Sequence, residues 1–148
     1  MVGNRKTGLM YLDMLLKLSK REKSFLTICF VEVDGLKAIN DIYGHKEGDY
    51  LLAKMSRILK DSLRESDVLS RIGDNEFLLV FPKCSKVQAK HILKRADKKI
   101  SEMNSKSIKP YRVKVFYGFG EFTPGEELTS GDLVEKSDND KNLSRDIQ

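Results

Sequence analysis

VLSRIGDNEFLLVF, residues 68–81, decides how this chain is read. Two apolar β-like runs, Val68 to Ile72 and Phe77 to Phe81, flank Gly73, Asp74, Asn75 and Glu76. The segment therefore predicts a β-hairpin with an acidic tip. A tip of that kind can hold a metal ion and a phosphate. Its middle residue, Asn75, is an amide where such chemistry calls for a carboxylate.

Upstream, Phe25 to Val33 (FLTICFVEV) is almost continuously apolar, which predicts a central strand. Asp34 to Asp41 turns into a short helix, broken at Tyr43, Gly44 and His45. Gly48 and Asp49 open a longer helix with Leu52, Met55, Leu59 and Leu63 as its stripe. At the N-terminus, Leu9, Leu12, Leu15, Leu16 and Leu18 mark a helix that starts after Asn4, a good cap. Downstream, Pro82 ends the second hairpin strand. Ser85 and Gln88 form a capping box for a helix through Met103, with Ile92, Leu93, Ala96 and Ile100 facing inward. Asn104 to Pro110 reads as a polar connection and Tyr111 to Phe122 as an alternating strand. Thr129 or Ser130 caps a last helix.

The resulting order, α-β-α-α-β-β-α-β-α, contains a βαββαβ centre. That is an α+β, ferredoxin-like, palm-like arrangement with an antiparallel central sheet and flanking helices, expected on one side. Residues 1–148 read as a single domain. Residues 136–148 carry only Leu143 and Ile147 as large aliphatics, and so read as a weakly ordered, poorly anchored tail helix.

The bulk composition fits this picture. The 148 residues are 40% hydrophobic, enough for one core. The net charge is +5, but the cations are scattered along helices, as on solvated helix faces. A nucleic-acid platform would want exposed aromatics on neighbouring strands, and only Tyr111 and Tyr117 qualify, so no nucleic-acid partner is expected. No apolar run is long enough to span a bilayer, and Met1 to Lys6 lacks the apolar core of a signal peptide. A cytoplasmic domain without membrane contact is the expectation. Cys29 and Cys84 form no CxxC pattern and read as free thiols in a reducing compartment.

Two constellations carry chemistry. Glu32 and Asp34 stand at the exit of the central strand, expected to divide between its faces so that one joins the hairpin tip. A strand-end carboxylate beside a hairpin-tip carboxylate is how palm-like nucleotidyl transferases hold Mg²⁺. The same residues also suit a plain polar strand exit. Arg64 and Asp67 form an RxxD pattern whose guanidinium and carboxylate suit a guanine edge or a phosphate, and equally a helix-end ion pair.

VEVDGLKAINDIYGH, residues 31–45, with Gly48 and Asp49 three residues on, resembles the first signature of GGDEF domains. RIGDNEF, residues 71–77, stands where that family carries its namesake turn. Gly3, Asn4 and Arg5 resemble the end of its N-terminal segment, so the resemblance spans essentially the whole chain. Typical members are diguanylate cyclases, which condense two GTP into cyclic di-GMP across a dimer. The resemblance implies that Asn40 and Asp49 recognise guanine, that Lys37 and the backbone amides of Gly35 and Leu36 meet phosphate, and that Arg145 stands in for a phosphate-binding lysine. It implies Mg²⁺ held by the Glu32 carboxylate and the Val33 carbonyl. It makes Asn75 and Glu76, with Gly73 and Asp74, the catalytic turn, and Arg64, Asp67 and Arg95 an inhibitory cyclic di-GMP site. Asp140 and Asn142 stand where the family packs apolar and aromatic residues.

The implied partners are GTP, cyclic di-GMP or both, an N-terminal sensor or dimerisation region, and a second copy of the domain. Asn75 supplies no negative charge, and Asp74 sets one against phosphate in place of a glycine. The expectation is therefore a degenerate signalling domain, weak or inactive as a catalyst, that binds guanine nucleotide. The alternative is an active diguanylate cyclase.

Overall fold

Side-chain caps and glycines set most of the element boundaries in the computed structural model, which describes residues 3–106 and 108–147. Met1, Val2, Ser107 and Gln148 of the expected 1–148 domain lie outside the described residues, as does the side chain of Ile147. The elements follow the predicted order: α1 (Arg5–Glu22), β1 (Leu26–Asp34), α2 (Leu36–Tyr43), α3 (His45–Ser62), β2 (Val68–Arg71), β3 (Glu76–Pro82), α4 (Lys86–Lys106), β4 (Lys114–Phe122) and α5 (Ser130–Ile147).

Asn4 caps α1: its Oδ1 accepts from the Thr7 backbone N–H at 2.9 Å, and Thr7 Oγ1 accepts from the Asn4 N–H at 2.9 Å. Ser85 and Gln88 bracket α4 in the same reciprocal way, and Thr129 and Asp132 bracket α5. Gly44, at φ +93°, separates α2 from α3 in a backbone conformation that favours glycine. The glycine turn lets α3 begin at His45, ahead of the Gly48–Asp49 start expected from the sequence. At its far end α4 continues past Met103 to Lys106 and shortens the polar connection.

The strands form one antiparallel sheet in the order β2-β3-β1-β4. This is the α+β fold foreseen, with one correction: helices cover both faces of the sheet. Cys29, Val31, Val33, Leu79 and Phe81 pack under α2, α3 and α4, through residues such as Leu36, Met55, Leu59 and Leu93. Ile28, Phe30, Leu78, Val80 and Phe122 pack under Leu12 and Leu16 of α1 and Leu133 of α5. The near-continuous apolar character of β1 and β3 is the signature of strands buried on both faces. The alternation read from Val113, Val115, Tyr117 and Phe119, the last three of them in β4, describes one face only. Phe116, Gly118, Gly120 and Phe122 on the other face are buried as well.

Counting aliphatics understates the anchorage of α5. Leu143 is indeed exposed, but Ser137 is fully buried and Lys141 nearly so. Ser137 Oγ donates to the Gly118 carbonyl at 2.6 Å and accepts from the Phe30 N–H at 3.2 Å. Asp140 Oδ2 accepts from the Phe119 N–H at 2.8 Å. Polar groups thus stitch the helix to β1 and β4 where apolar side chains are lacking. Cys29 and Cys84 are free and buried, and burial pushes both thiols above their ordinary pKa. Among the described residues, no helix is long and apolar enough to cross a membrane.

Candidate functional site

The end of β1 and the start of β3 bring the candidate residues together. Glu32 and Glu76 are direct cross-strand partners in the antiparallel register. Glu32 and Asp34 are two residues apart and share a face, contrary to the expected division. Depth separates them: Glu32 is buried, whereas Asp34 is exposed at the strand end. Two like charges directly opposite one another on a sheet repel unless a cation lies between them.

That cation comes from α5. The Lys141 Nζ lies 2.5 Å from Glu76 Oε2, 3.5 Å from Glu32 Oε1 and 3.2 Å from Asp138 Oδ1. Arg145 pairs with Glu32 Oε2 and packs its guanidinium over the Phe116 ring, 5.6 Å from the centroid. Arg145 therefore reaches the acidic end of the sheet rather than standing apart as a phosphate ligand only. Sequence reasoning passed over Lys141, although the signal was there. Leu133, Ser137 and Lys141 recur every four residues and form one stripe on α5, and that stripe faces the sheet.

Asn75 is engaged too. Its Nδ2 donates to the Val33 carbonyl at 3.0 Å, and its backbone carbonyl accepts from the Val33 N–H at 2.8 Å. The carbonyl expected to face a cation thus faces an amide donor. Asp74 is exposed, and the tip is pinned from below by Arg71, which donates to the Gly73 and Asp74 carbonyls at 3.1 and 2.8 Å. Magnesium binds anionic and carbonyl oxygens that are free to turn toward it. Here the Glu32 carboxylate, the Val33 carbonyl and the Glu76 carboxylate all have internal partners. Among the described residues, no group of three or more His, Cys, Asp or Glu side chains is arranged to hold a metal ion. The donor set in this arrangement does not fit a divalent cation.

The nucleotide-side candidates cluster across α2 and α3. Gly35 caps α2 at φ +76° without a side-chain hydrogen bond, which leaves the first amides of the helix, Leu36 included, unclaimed by a cap. Lys37 is exposed beside them. Asn40 Oδ1 is buried without a hydrogen-bond partner and packs against Gly48, the neighbour of Asp49. Asp49 lines a cavity of about 400 Å³ with Gly3, Leu52, Ala53, Ser56, Arg71 and Phe77. Arg71 and Ser56 were not singled out from the sequence. They sit on predicted elements, but nothing in their spacing marked them.

Arg64 and Asp67 bind each other. Asp67 Oδ1 accepts from Arg64 NH2 at 2.7 Å, and Oδ2 accepts from the Arg64 backbone N–H at 2.7 Å. The Asp67 side chain is fully buried, while that of Arg64 is 40% exposed and also donates to the Pro82 carbonyl at 2.8 Å. The pair closes the turn between α3 and β2. Arg95 stands exposed on α4. Asp67→Ala should cost about 2 kcal/mol, because it removes charge-assisted bonds and a backbone cap, while the part-exposed Arg64 can turn to solvent. Urea denaturation with an unchanged m-value would check it, and a loss below a few tenths of a kcal/mol would show the pair to be ornamental.

Tyr111 and Tyr117 are both half-buried. Their hydroxyls donate to Glu47 at 2.5 Å and to Asp97 at 2.6 Å.

A family model described as "Diguanylate cyclase, GGDEF domain" matches residues 1–144. The bifunctional diguanylate cyclase/cyclic di-GMP phosphodiesterase MucR of Pseudomonas aeruginosa is 28% identical over 127 residues, covering 86% of this chain and 18% of MucR. The chain thus spans about a fifth of that relative's length. Diguanylate cyclase SiaD of Pseudomonas aeruginosa, solved in complex with its activator SiaC, superposes with a TM-score of 0.87 at 26% identity, over 99% of this chain and 56% of the other. The active GGEEF domain of a diguanylate cyclase from Vibrio cholerae superposes with a TM-score of 0.90 at 19% identity, over 99% and 93% of the two chains. At that identity the likeness speaks for the fold alone.

Proposed function

The chain belongs to the GGDEF family of diguanylate cyclase domains, and from that premise we propose that it is a degenerate signalling domain that binds guanine nucleotide with weak or no cyclase activity. The observation that carries this reading is the Asn75 Nδ2 bond to the Val33 carbonyl at 3.0 Å. It sets a hydrogen-bond donor where the family's chemistry calls for a negative charge. Losing one well-placed electrostatic partner commonly slows a reaction by roughly a hundred- to a thousandfold. The exposed Asp74 adds a like charge on the side where phosphate would arrive.

GTP would sit with its guanine toward Asn40 and Asp49 and its phosphates toward Lys37 and the amides of Gly35 and Leu36. The buried, unpartnered Oδ1 of Asn40 and the cavity lined by Asp49 support that placement. Cyclic di-GMP would meet the exposed part of the Arg64 guanidinium, with Arg95 as a second contact. Asp67 would act there chiefly by holding Arg64 in place. A second copy and an N-terminal sensor or dimerisation region belong to the same proposal.

Calorimetry with GTP and with cyclic di-GMP tests the reading, and heat from neither would leave the domain a scaffold. Incubation with GTP and Mg²⁺ followed by chromatography decides against the rival, a working cyclase, if no cyclic di-GMP forms. One substitution addresses the guanine pocket. A Cβ at Gly48 would collide with Asn40 Oδ1 and stand 2.7 Å from its Cγ. Gly48→Ala should therefore push the Asn40 amide aside and weaken GTP binding about tenfold or more, equivalent to about 1.4 kcal/mol. Unchanged GTP affinity in the folded variant would take Asn40 out of the pocket.

A further inference from the structure

We propose that the Lys141 ammonium is a built-in replacement for the divalent cation of this site, so that the acidic end of the sheet is neutralised by the chain itself and takes up no metal. The inference rests on the reading of the site as a degenerate cyclase centre, and it goes further by assigning the place of the metal to a residue.

The argument begins with register. Glu32 and Glu76 are obligate neighbours across β1 and β3, and Glu32 is buried. A buried carboxylate facing a second one has to be compensated by an opposite charge or give up its own. Lys141 supplies that charge from a position that is itself 5% exposed. Its Nζ makes contact with Glu76, Asp138 and Glu32 at 2.5, 3.2 and 3.5 Å, a cation among carboxylate oxygens from three elements. Arg145 engages the other oxygen of Glu32.

Gly118 makes this reach possible. A Cβ there would lie 2.5 Å from the Lys141 backbone nitrogen, so only a glycine lets α5 settle this close to β4 and lower the lysine stem to the sheet. Burial works against the lysine's charge, but its hydrogen bonds to Glu76 and Asp138 outweigh that, and its pKa stays above the ordinary lysine value. The remaining candidate ligand, the Val33 carbonyl, accepts from Asn75. Glu32 Oε1, Glu76 Oε2 and the Val33 carbonyl thus each have a partner within the chain.

The test is Mn²⁺ uptake, read from the loss of the free-ion signal in electron paramagnetic resonance, with no nucleotide present. The wild-type chain and Glu32→Gln should take up the same amount of Mn²⁺. Lys141→Met keeps the length of the stem and removes the charge. It should gain a saturable Mn²⁺ site and a melting temperature that rises with Mn²⁺ or Mg²⁺, and both gains should vanish in Lys141→Met/Glu32→Gln. Wild-type Mn²⁺ binding that is lost in Glu32→Gln overturns the proposal, as does a folded Lys141→Met that gains no site. If Lys141→Met does not fold, the wild-type and Glu32→Gln comparison still decides. Nucleotide calorimetry is independent of these readouts, so failure here and failure of the guanine-nucleotide reading can be told apart.

Discussion

Gly118→Ala is expected to lower the melting temperature by about 10 °C, a loss of roughly 3 kcal/mol for a domain of this size. The reason is that the obstacle is backbone. A Cβ at residue 118 would collide with the Ser137 carbonyl and the Lys141 Cβ, and would lie 2.5 Å from the Lys141 nitrogen. A flexible side chain could swing away, but a helix backbone can yield only by lifting α5 from the sheet. That movement would break the Ser137 bonds to Gly118 and Phe30 and the Asp140 bond to Phe119. It would also draw Lys141 away from Glu32 and Glu76, leaving two facing carboxylates uncompensated. Gly120→Ala, whose Cβ would stand 2.7 Å from the Leu133 carbonyl, should follow with a smaller loss. Gly131→Ala is the control: nothing lies closer than 3.6 Å, and a helical alanine there should add a few tenths of a kcal/mol. Thermal melts of the three variants give the ranking. A Gly118→Ala protein as stable as wild type would mean that α5 is not held as described.

The same contacts explain what the sequence revealed and what it concealed. Elements with a local cause were legible. Asn4, Ser85 with Gln88, and Thr129 are caps that act within three residues, and each begins a helix where expected. The hairpin was legible because two apolar runs bracket a turn, and the antiparallel sheet followed from the βαββαβ succession. The second helical layer was less legible. Burial of both faces of β1 shows as a continuous apolar run, but in β4 the second face is partly glycine, which carries no apolar signal.

The candidate site divides in the same way. Asn40, Asp49, Lys37 and Glu32 could be named from short motifs. The electrostatic state of Glu32 depends on Lys141 and Arg145, more than a hundred residues further along. A lysine reads as surface by composition, and only the stripe from Leu133 through Ser137 places Lys141 inward. The use of Asn75 was likewise hidden: its missing charge is visible in the sequence, but its bond to the Val33 carbonyl is a property of the fold.

These couplings shape the outcome of repairing the hairpin tip. Asp74→Gly/Asn75→Asp restores a carboxylate and removes the stray charge, yet in the wild-type background it should raise cyclic di-GMP output from GTP and Mg²⁺ by less than about tenfold. The new carboxylate would lose the donor bond to the Val33 carbonyl and set two acceptor oxygens against each other, which costs about 1–3 kcal/mol unless a cation lies between them. With Lys141 still paired to Glu76 and Glu32, the place for that cation is taken. Adding Lys141→Met vacates it, and the triple variant should then exceed the tip repair alone by about a hundredfold, the usual scale of a restored electrostatic partner. The tip repair and the lysine removal should therefore be strongly non-additive, as expected for residues that share one charge environment. Chromatography of the product, at protein concentrations that favour pairing of two domains, measures all four corners of the cycle. Equal gains with and without Lys141 would remove the lysine from the explanation. No gain in any corner would place the defect with the phosphate grip at Arg145, whose guanidinium is already committed to Glu32 and Phe116.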